Sequence, residues 1–192
     1  MKYTRLADLA EIKFCVVSPG LTKLQETPTQ WLACANFLRN NTIVYDTTET
    51  YYAPDKELLI QKNDIVVKRI TPTFVNYVDY MPNDIYAGNN LIVISPKQDV
   101  YSKYLAMVLN EKIETLSESS SVGAVMKSVS RQHLEDVIIP LLPYEKQILV
   151  GNLWYDGIEL EKMRTRLAEL ESIKRNYQIK KYVETFGGRK NG

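Results

Sequence analysis

Two cysteines, one histidine and a scatter of carboxylates are the groups in this 192-residue chain with the reactivity for catalysis. His133 stands alone: a general base wants a positioned partner, and no sequence neighbour supplies one. Cys15 (KFCVV) and Cys34 (WLACANF) sit in apolar surroundings and read as small buried hydrophobes rather than as a disulfide or reactive thiols. With these few ligands and no close pairing among them, a zinc site is not expected. Mg²⁺-dependent nuclease chemistry needs clustered carboxylates beside a lysine. Asp55 with Glu57, and Asp64 with Lys68, come nearest, but their spacings do not match and the first pair falls in a polar turn. A DNA methyltransferase needs a glycine-rich cofactor loop and an Asn/Asp-Pro-Pro-aromatic motif. The eight glycines form no G-x-G-x-x-G or G-x-x-x-x-G-K-S/T run, and the second motif is absent. The expectation is a chain with no catalytic residue, no metal and no cofactor.

What remains is the chemistry of binding. Nucleic-acid sequence is read by side chains that reach base edges, while phosphate contacts position the protein. Polar and basic residues on loops are the candidates. Lys68, Arg69, Asn76 and Tyr77 lie on or beside an irregular stretch, and Lys127, Ser130, Arg131 and Gln132 follow a serine-rich loop. Phe74, Tyr77 and Tyr80 read equally as a small satellite core or as a platform facing DNA.

These side chains need a scaffold. Hydrophobic residues make up 45% of the chain and charged residues 24%, so a packed core is within reach. No apolar run approaches the roughly 18 residues of a membrane helix, and the charged opening MKYTRLADLAEIKF has no signal-peptide character, which points to the cytoplasm. Residues 5–11 suggest a short helix, and Ser18-Pro19-Gly20 a turn. TQWLACA and NTIVYDT read as extended segments joined by a turn at FLRNN. Lys62-Asn63-Asp64 is a polar turn before a strand from Ile65 to Ile70, residues 71–84 read as a loop or edge hairpin, and Asn90 to Ser95 as a buried strand. Tyr101 to Leu116 has helical spacing, broken by Ser117 to Ser121. Ser130 should cap a short helix, and Val137-Ile138-Ile139 should form a strand that Pro140 ends.

After Pro143 apolar residues recur at alternating spacings of three and four: Leu149, Leu153, Leu160, Met163, Leu167, Leu170 and Tyr177, with Asp156 and Lys174 interrupting. This is a heptad-like seam for packing against another helix. Gly151 and Gly157 weaken the helix by about 1 kcal/mol each relative to Ala. The fold class is α+β (mixed α/β). Residues 1–143 form one globular domain, 144–186 a long helix, and 187–192 a flexible tail.

In order along the chain, several features resemble the DNA-specificity subunits of type I restriction–modification systems. They are Leu6-Ala7-Asp8-Leu9-Ala10-Glu11-Ile12 at the start, Asn63-Asp64-Ile65-Val66, Leu91-Ile92-Val93-Ile94 followed by Tyr104-Leu105, and the serine-rich loop from Ser119 to Gly123. Leu134 to Pro140 follows, and then Leu142-Pro143-Tyr144-Glu145-Lys146-Gln147 opens the heptad helix. Lys146 departs from the family's usual Glu. Family members commonly carry two domain-plus-helix units, and this sequence has one. The resemblance implies a target-recognition domain reading one half-site of a bipartite target in double-stranded DNA. It also implies a spacer helix that pairs antiparallel with a second copy, and docking of methyltransferase and sometimes restriction subunits that hold the catalysis.

Charge argues the other way. Residues 1–143 carry 14 Lys+Arg against 16 Asp+Glu, a net −2, and the remainder 10 against 7, a net +3. A domain that grips DNA is ordinarily basic, so the basic residues must be gathered on one face. A coiled-coil interaction scaffold that never touches DNA, and a recognition domain of a cryptic endonuclease, stay open on the sequence alone.

Overall fold

The computed structural model describes residues 2–15, 24–52, 58–119 and 128–187. In chain order the elements are β1 (Lys2–Arg5), α1 (Leu6–Leu9), β2 (Ala10–Phe14), β3 (Leu24–Leu32), β4 (Phe37–Leu38), β5 (Thr42–Ile43), β6 (Thr48–Tyr52), β7 (Leu59–Ile60), β8 (Ile65–Lys68), β9 (Phe74–Tyr77), β10 (Ile85–Ala87), β11 (Leu91–Pro96), α2 (Ser102–Ser119), α3 (Arg131–Glu135), β12 (Ile138–Leu141) and α4 (Tyr144–Gly187). Two compact units divide the chain, Met1–Tyr155 and Asp156–Gly192.

The first unit is built on an antiparallel sheet of order β2-β11-β8-β9. Its central strands are unbroken apolar runs, IVV and LIVI, the signature of a sheet covered on both faces. Successive side chains of a strand point to opposite faces, so each face has its own core. Ile65, Val67, Ile92 and Ile94 pack with Leu105, Leu109 and Ile113 of α2. Val66, Leu91 and Val93 face the other way and pack with Leu32, Phe37, Ile60, Ile85 and Ala87. That second core lies against a further sheet of order β6-β3-β10-β7, in which β10 and β3 run parallel.

Several expectations are corrected. The first helix is only Leu6–Leu9, flanked by strands. Pro140 lies inside β12 rather than ending it. The pair β1–β12 has two strands only, so Pro140 sits on an edge where a missing N–H is tolerated. Within 71–84, residues Phe74–Tyr77 take the edge-hairpin alternative, as the edge strand β9 paired with β8 from Lys68↔Phe74 to Ile65↔Tyr77. The polar turn before β8 is as expected, with Asn63 at φ 74°. Buried Asp64 organises it: one carboxylate oxygen accepts the Gln61 N–H at 2.7 Å and the other the Ser95 hydroxyl at 2.7 Å. Burial raises its pKa above the usual carboxylate value. Ser130 caps α3 by accepting the His133 N–H at 3.2 Å. The Ser18-Pro19-Gly20 turn, Asp55 and Glu57, the serine-rich loop beyond Ser119, Lys127 and the tail beyond Gly187 lie outside the described residues.

The opening turns of α4 belong to the first unit. Gln147 is 1% exposed, and its side chain bridges two segments. Its carbonyl accepts the Tyr101 N–H at 2.9 Å, just before α2, and its amide donates to Leu142 O at 2.8 Å. The Gln of the Leu-Pro-Tyr-Glu-Lys-Gln stretch therefore ties the start of α4 to the start of α2. Gln147→Leu strands two buried backbone groups, each worth roughly 1–3 kcal/mol. The expected loss is about 2–4 kcal/mol, read as a lower denaturant midpoint at unchanged m-value; an unchanged midpoint would contradict this role. One turn on, a Cβ built on Gly151 would stand 2.6 Å from the Tyr104 amide nitrogen. Gly151 thus marks a close approach of α4 to the α2 backbone, whereas a Cβ on Gly157 would meet nothing within 4 Å.

The second unit is helical from Asp156 to Gly187, about 48 Å at 1.5 Å per residue. Glu159–Lys162 (2.7 Å) and Arg166–Glu169 (3.0 Å) are ion pairs along its surface. Leu160, Met163, Leu167, Leu170 and Tyr177 are all 46–67% exposed. Among the described residues no helix is long and apolar enough to cross a membrane.

Candidate nucleic-acid interface

The register of the central sheet brings the ends of four strands together. Phe14 stands beside Ile92, Leu91 opposite Lys68, and Lys68 opposite Phe74. At roughly 4.8 Å between strands, this end of the sheet is about 14 Å wide. The Arg131 guanidinium lies 4.3 Å from the Phe14 ring centroid. Across the sheet, Lys68 Nζ and the Arg39 guanidinium lie 5.2 and 5.0 Å from the Phe74 ring. Between them, Arg69 is anchored by its N–H to Asn90 O (2.9 Å) and by Nε to Val129 O (3.1 Å). Four cations are therefore spread across one end of one sheet. Such cation–ring pairs are worth about 0.5–1 kcal/mol at exposed sites and fix each cation's position.

The opposite end of the same sheet mixes charges: Glu11 pairs with Lys13 at 3.3 Å, Asp64 is buried, Lys97 Nζ donates to Asp8 O at 2.7 Å, and Lys103 Nζ lies 5.8 Å from the Tyr77 ring. The net −2 of residues 1–143 is therefore compatible with a local row of basic residues, set in a surface of mixed charge.

Local chemistry explains how each group is held. Arg39 is carried on the β4–β5 hairpin, which turns through Asn40 and Asn41 at φ 56° and 51°, a left-handed conformation that Asn tolerates. The hairpin is clamped to β9 by side-chain amides. Asn76 Nδ2 donates to Leu38 O (2.9 Å) and Thr42 O (3.2 Å), and Asn41 Nδ2 donates to Tyr77 O (3.1 Å) while its carbonyl accepts the Tyr77 N–H. Beside the clamp, Arg39, Asn40, Thr73, Phe74 and Asn110 line a notch of about 80 Å³. Arg131 is on the first turn of α3 and pairs with Glu135 at 3.2 Å, an exposed i,i+4 pair of little energetic weight.

The structure brings the two groups of sequence candidates together. Ile70 bridges to Ser128, and the Val129 N–H donates to Arg69 O at 3.0 Å. Lys68 and Arg69 thereby stand beside the segment leading to Ser130, Arg131 and Gln132. Lys68, Arg69 and Ser130 are half-buried, and Arg131 and Gln132 exposed. Asn76 and Tyr77 are corrections. Asn76 is 0% and Tyr77 6% exposed. Asn76 is the clamp just described, and the Tyr77 hydroxyl donates to Asn63 Oδ1 at 2.8 Å while its ring meets Tyr155 edge-on at 5.5 Å. Neither faces solvent: Tyr77 points to the α2 side, and Asn76, on the other face of the strand, to the β4–β5 hairpin. Phe74, Tyr77 and Tyr80 are not one cluster: Tyr80 pairs with Tyr45. Sequence reading missed Arg39, whose only signal was a basic residue beside the Asn-Asn turn.

Among the described residues, the carboxylate–lysine pair weighed for catalysis is not brought together. Asp64 and Lys68 stand at opposite ends of β8, about 13 Å apart at 3.3 Å per residue. Cys15 is buried, which pushes its thiol up to about 12, and Cys34 donates to Asn89 O and Asn90 O at 3.3 Å. Among the described residues no group of three His, Cys, Asp or Glu could hold a metal ion.

Residues 1–172 match the family model described as the type I restriction modification DNA specificity domain. Among solved structures, the HsdS subunit from Thermoanaerobacter tengcongensis is similar at 18% identity and a TM-score of 0.63, over 87% of this chain and 39% of that one. A chain from work on complex assembly and conformational transition of the type I R-M system matches at 15% identity and 0.62, over 95% and 44%. The S subunit of a type I restriction–modification system from M. genitalium matches at 13% and 0.56, over 91% and 44%. At such identities the likeness is one of fold, and the chain spans less than half the length of the structures it matches. No curated protein sequence matches it.

Proposed function

Because the chain belongs to the type I restriction modification DNA specificity family, we propose that it reads one half-site of a bipartite duplex DNA target. It does so in the cytoplasm for methyltransferase, and in some assemblies restriction, subunits that dock on it and carry out the catalysis. The observation that carries this reading is the row Arg39, Lys68, Arg69 and Arg131 at one end of the central sheet. In this reading basic side chains there engage phosphates and set the register of the duplex, and Ser130 and Gln132 contact base edges. The helical seam of Leu153, Leu160, Met163, Leu167, Leu170 and Tyr177 supports pairing with a second copy, because that much exposed apolar surface in one stripe calls for cover. Two copies related by a two-fold axis read two inverted half-sites separated by an unread spacer.

The test is the salt dependence of DNA binding by the chain assembled with its methyltransferase subunit. Arg39→Gln, Lys68→Gln and Arg131→Gln together should weaken binding. They should also flatten the slope of log affinity against log salt by up to about 2.7, roughly 0.9 for each phosphate no longer neutralised. A slope identical to that of the unsubstituted assembly, in protein of unchanged melting temperature, would move the DNA surface elsewhere. Complete lack of DNA binding by the unsubstituted assembly would favour an interaction scaffold.

A further inference from the structure

The helix that runs through the second unit interrupts its apolar seam twice, at Asp156 and Lys174, and both residues are exposed. We propose that these two residues are partners across an antiparallel homodimer, and that their pairing sets its register. This rests on the self-pairing just proposed and adds a specific alignment to it.

Symmetry supplies the alignment. Asp156 and Lys174 lie equally far before and after Thr165. A two-fold axis at the level of Thr165 therefore sets Asp156 of one helix opposite Lys174 of the other, twice. The same axis sets Leu160 against Leu170, Met163 against Leu167, and Leu153 against Tyr177. Written as heptads, each of these pairs joins an a position to a d position, as facing layers of an antiparallel pair must. Every apolar seam residue from Leu153 to Tyr177 then meets an apolar residue, and each polar interruption meets its opposite charge. Arg166, close to the axis, is already matched to Glu169 of its own helix at 3.0 Å.

Other alignments waste these matches. Parallel, in-register helices put Asp156 against Asp156 and Lys174 against Lys174. A slip of one heptad in one direction puts Asp156 against Leu167. In the other direction it puts Lys174 against Met163. Each option sets a charge in the seam against a like charge or an apolar side chain, and both are unfavourable where water is excluded. The polar pair thus costs some stability relative to an all-leucine seam but specifies one partner geometry, the use of polar seam residues best attested in coiled coils.

Charge reversal tests this on the full chain. Asp156→Lys alone faces two lysines with two lysines, and Lys174→Asp alone faces two aspartates with two aspartates. Each single variant should dimerise on the order of a hundredfold more weakly. The chain carrying both changes should regain near-normal dimerisation. An equimolar mixture of the two single variants, one with an affinity tag, should form the mixed dimer in preference to either parent dimer, because every facing pair is then opposite in charge. Sedimentation and tag pull-down read all four cases, and helix content by circular dichroism verifies that each variant folds. Single variants that dimerise as tightly as the unsubstituted chain would overturn the register while leaving self-pairing intact. An unsubstituted chain that stays monomeric at tens of micromolar would instead overturn self-pairing itself. Weak single variants with no rescue by the double change or by mixing would also refute the Asp156–Lys174 pairing.

Discussion

Leu167→Asp combined with Leu170→Asp is expected to turn a dimer of this chain into a monomer and to abolish specific methylation by the assembled enzyme. Both side chains are about half exposed, at 58% and 46%, and lie in the helical unit rather than in the compact domain. Removing two leucines per chain from a covered seam forfeits four half-exposed side chains in the dimer, at about 0.8–1.5 kcal/mol each. Four carboxylates placed there without partners add a further cost. The sum is at least about 3 kcal/mol, or more than about two orders of magnitude in dissociation constant. Light scattering at micromolar concentration reads the change in mass. The isolated helix should lose some circular dichroism signal as well, since long helices draw most of their stability from packing. A double variant that still dimerises would mean that some other surface joins the two copies. A DNA target without inverted symmetry would mean that the seam pairs with a different chain.

The second large effect is expected inside the domain. Gly151→Leu should destabilise by about 3 kcal/mol, the upper end for overpacking, because its Cβ alone would stand 2.6 Å from the Tyr104 amide nitrogen and 3.1 Å from the Lys103 carbonyl carbon. Both neighbours are backbone, so relief requires α2 and α4 to separate, which pulls Gln147 away from Tyr101 and Leu142. For a chain of this size the melting temperature should fall by roughly 6–12 °C. Gly157→Ala, on the same helix, should do the opposite and gain up to about 1 kcal/mol, since nothing opposes its Cβ and Ala is the better helix former. Differential scanning calorimetry on the pair separates a packing glycine from a merely permissive one. If both substitutions shifted stability in the same direction, the close approach at Gly151 would not be a real constraint.

The contrast between those glycines shows where sequence reading stops. Composition and helix propensity treat Gly151 and Gly157 alike. Only the position of α2, remote in sequence, makes one of them indispensable. The same limit explains Asn76 and Tyr77. Polar residues in an aromatic, Pro-bounded stretch read as a loop or edge hairpin with its side chains open to DNA, yet β9 is held between α2 and the β4–β5 hairpin, and their polar groups meet partners there. What was legible depended on local signals. The apolar runs at Ile65 and Leu91, the cap at Ser130, the polar turn at Asp64 and the heptad spacing after Pro143 each declare themselves within a few residues. The basic row did not, because Arg39, Lys68 and Arg131 come from three separated segments that only the sheet register aligns. The expected gathering of charge could be stated as a requirement, but its members could not be named in full.

The pairing of β1 with β12 has a consequence for how such a domain changes over generations. Lys2 lies opposite Leu141 and Arg5 opposite Ile138, so the segments that bracket the two sheets, β1 and β12, meet at one spot. A body whose two ends meet can be exchanged as a cassette without rerouting anything around it. Recombination between the coding segments for β1 and β12 would swap the whole sheet end, hairpin and cation row in one event, provided the incoming α2 kept its fit to Gln147 and Gly151 of the helix that follows. Novelty in what is recognised would then be inherited in blocks rather than accumulated one substitution at a time.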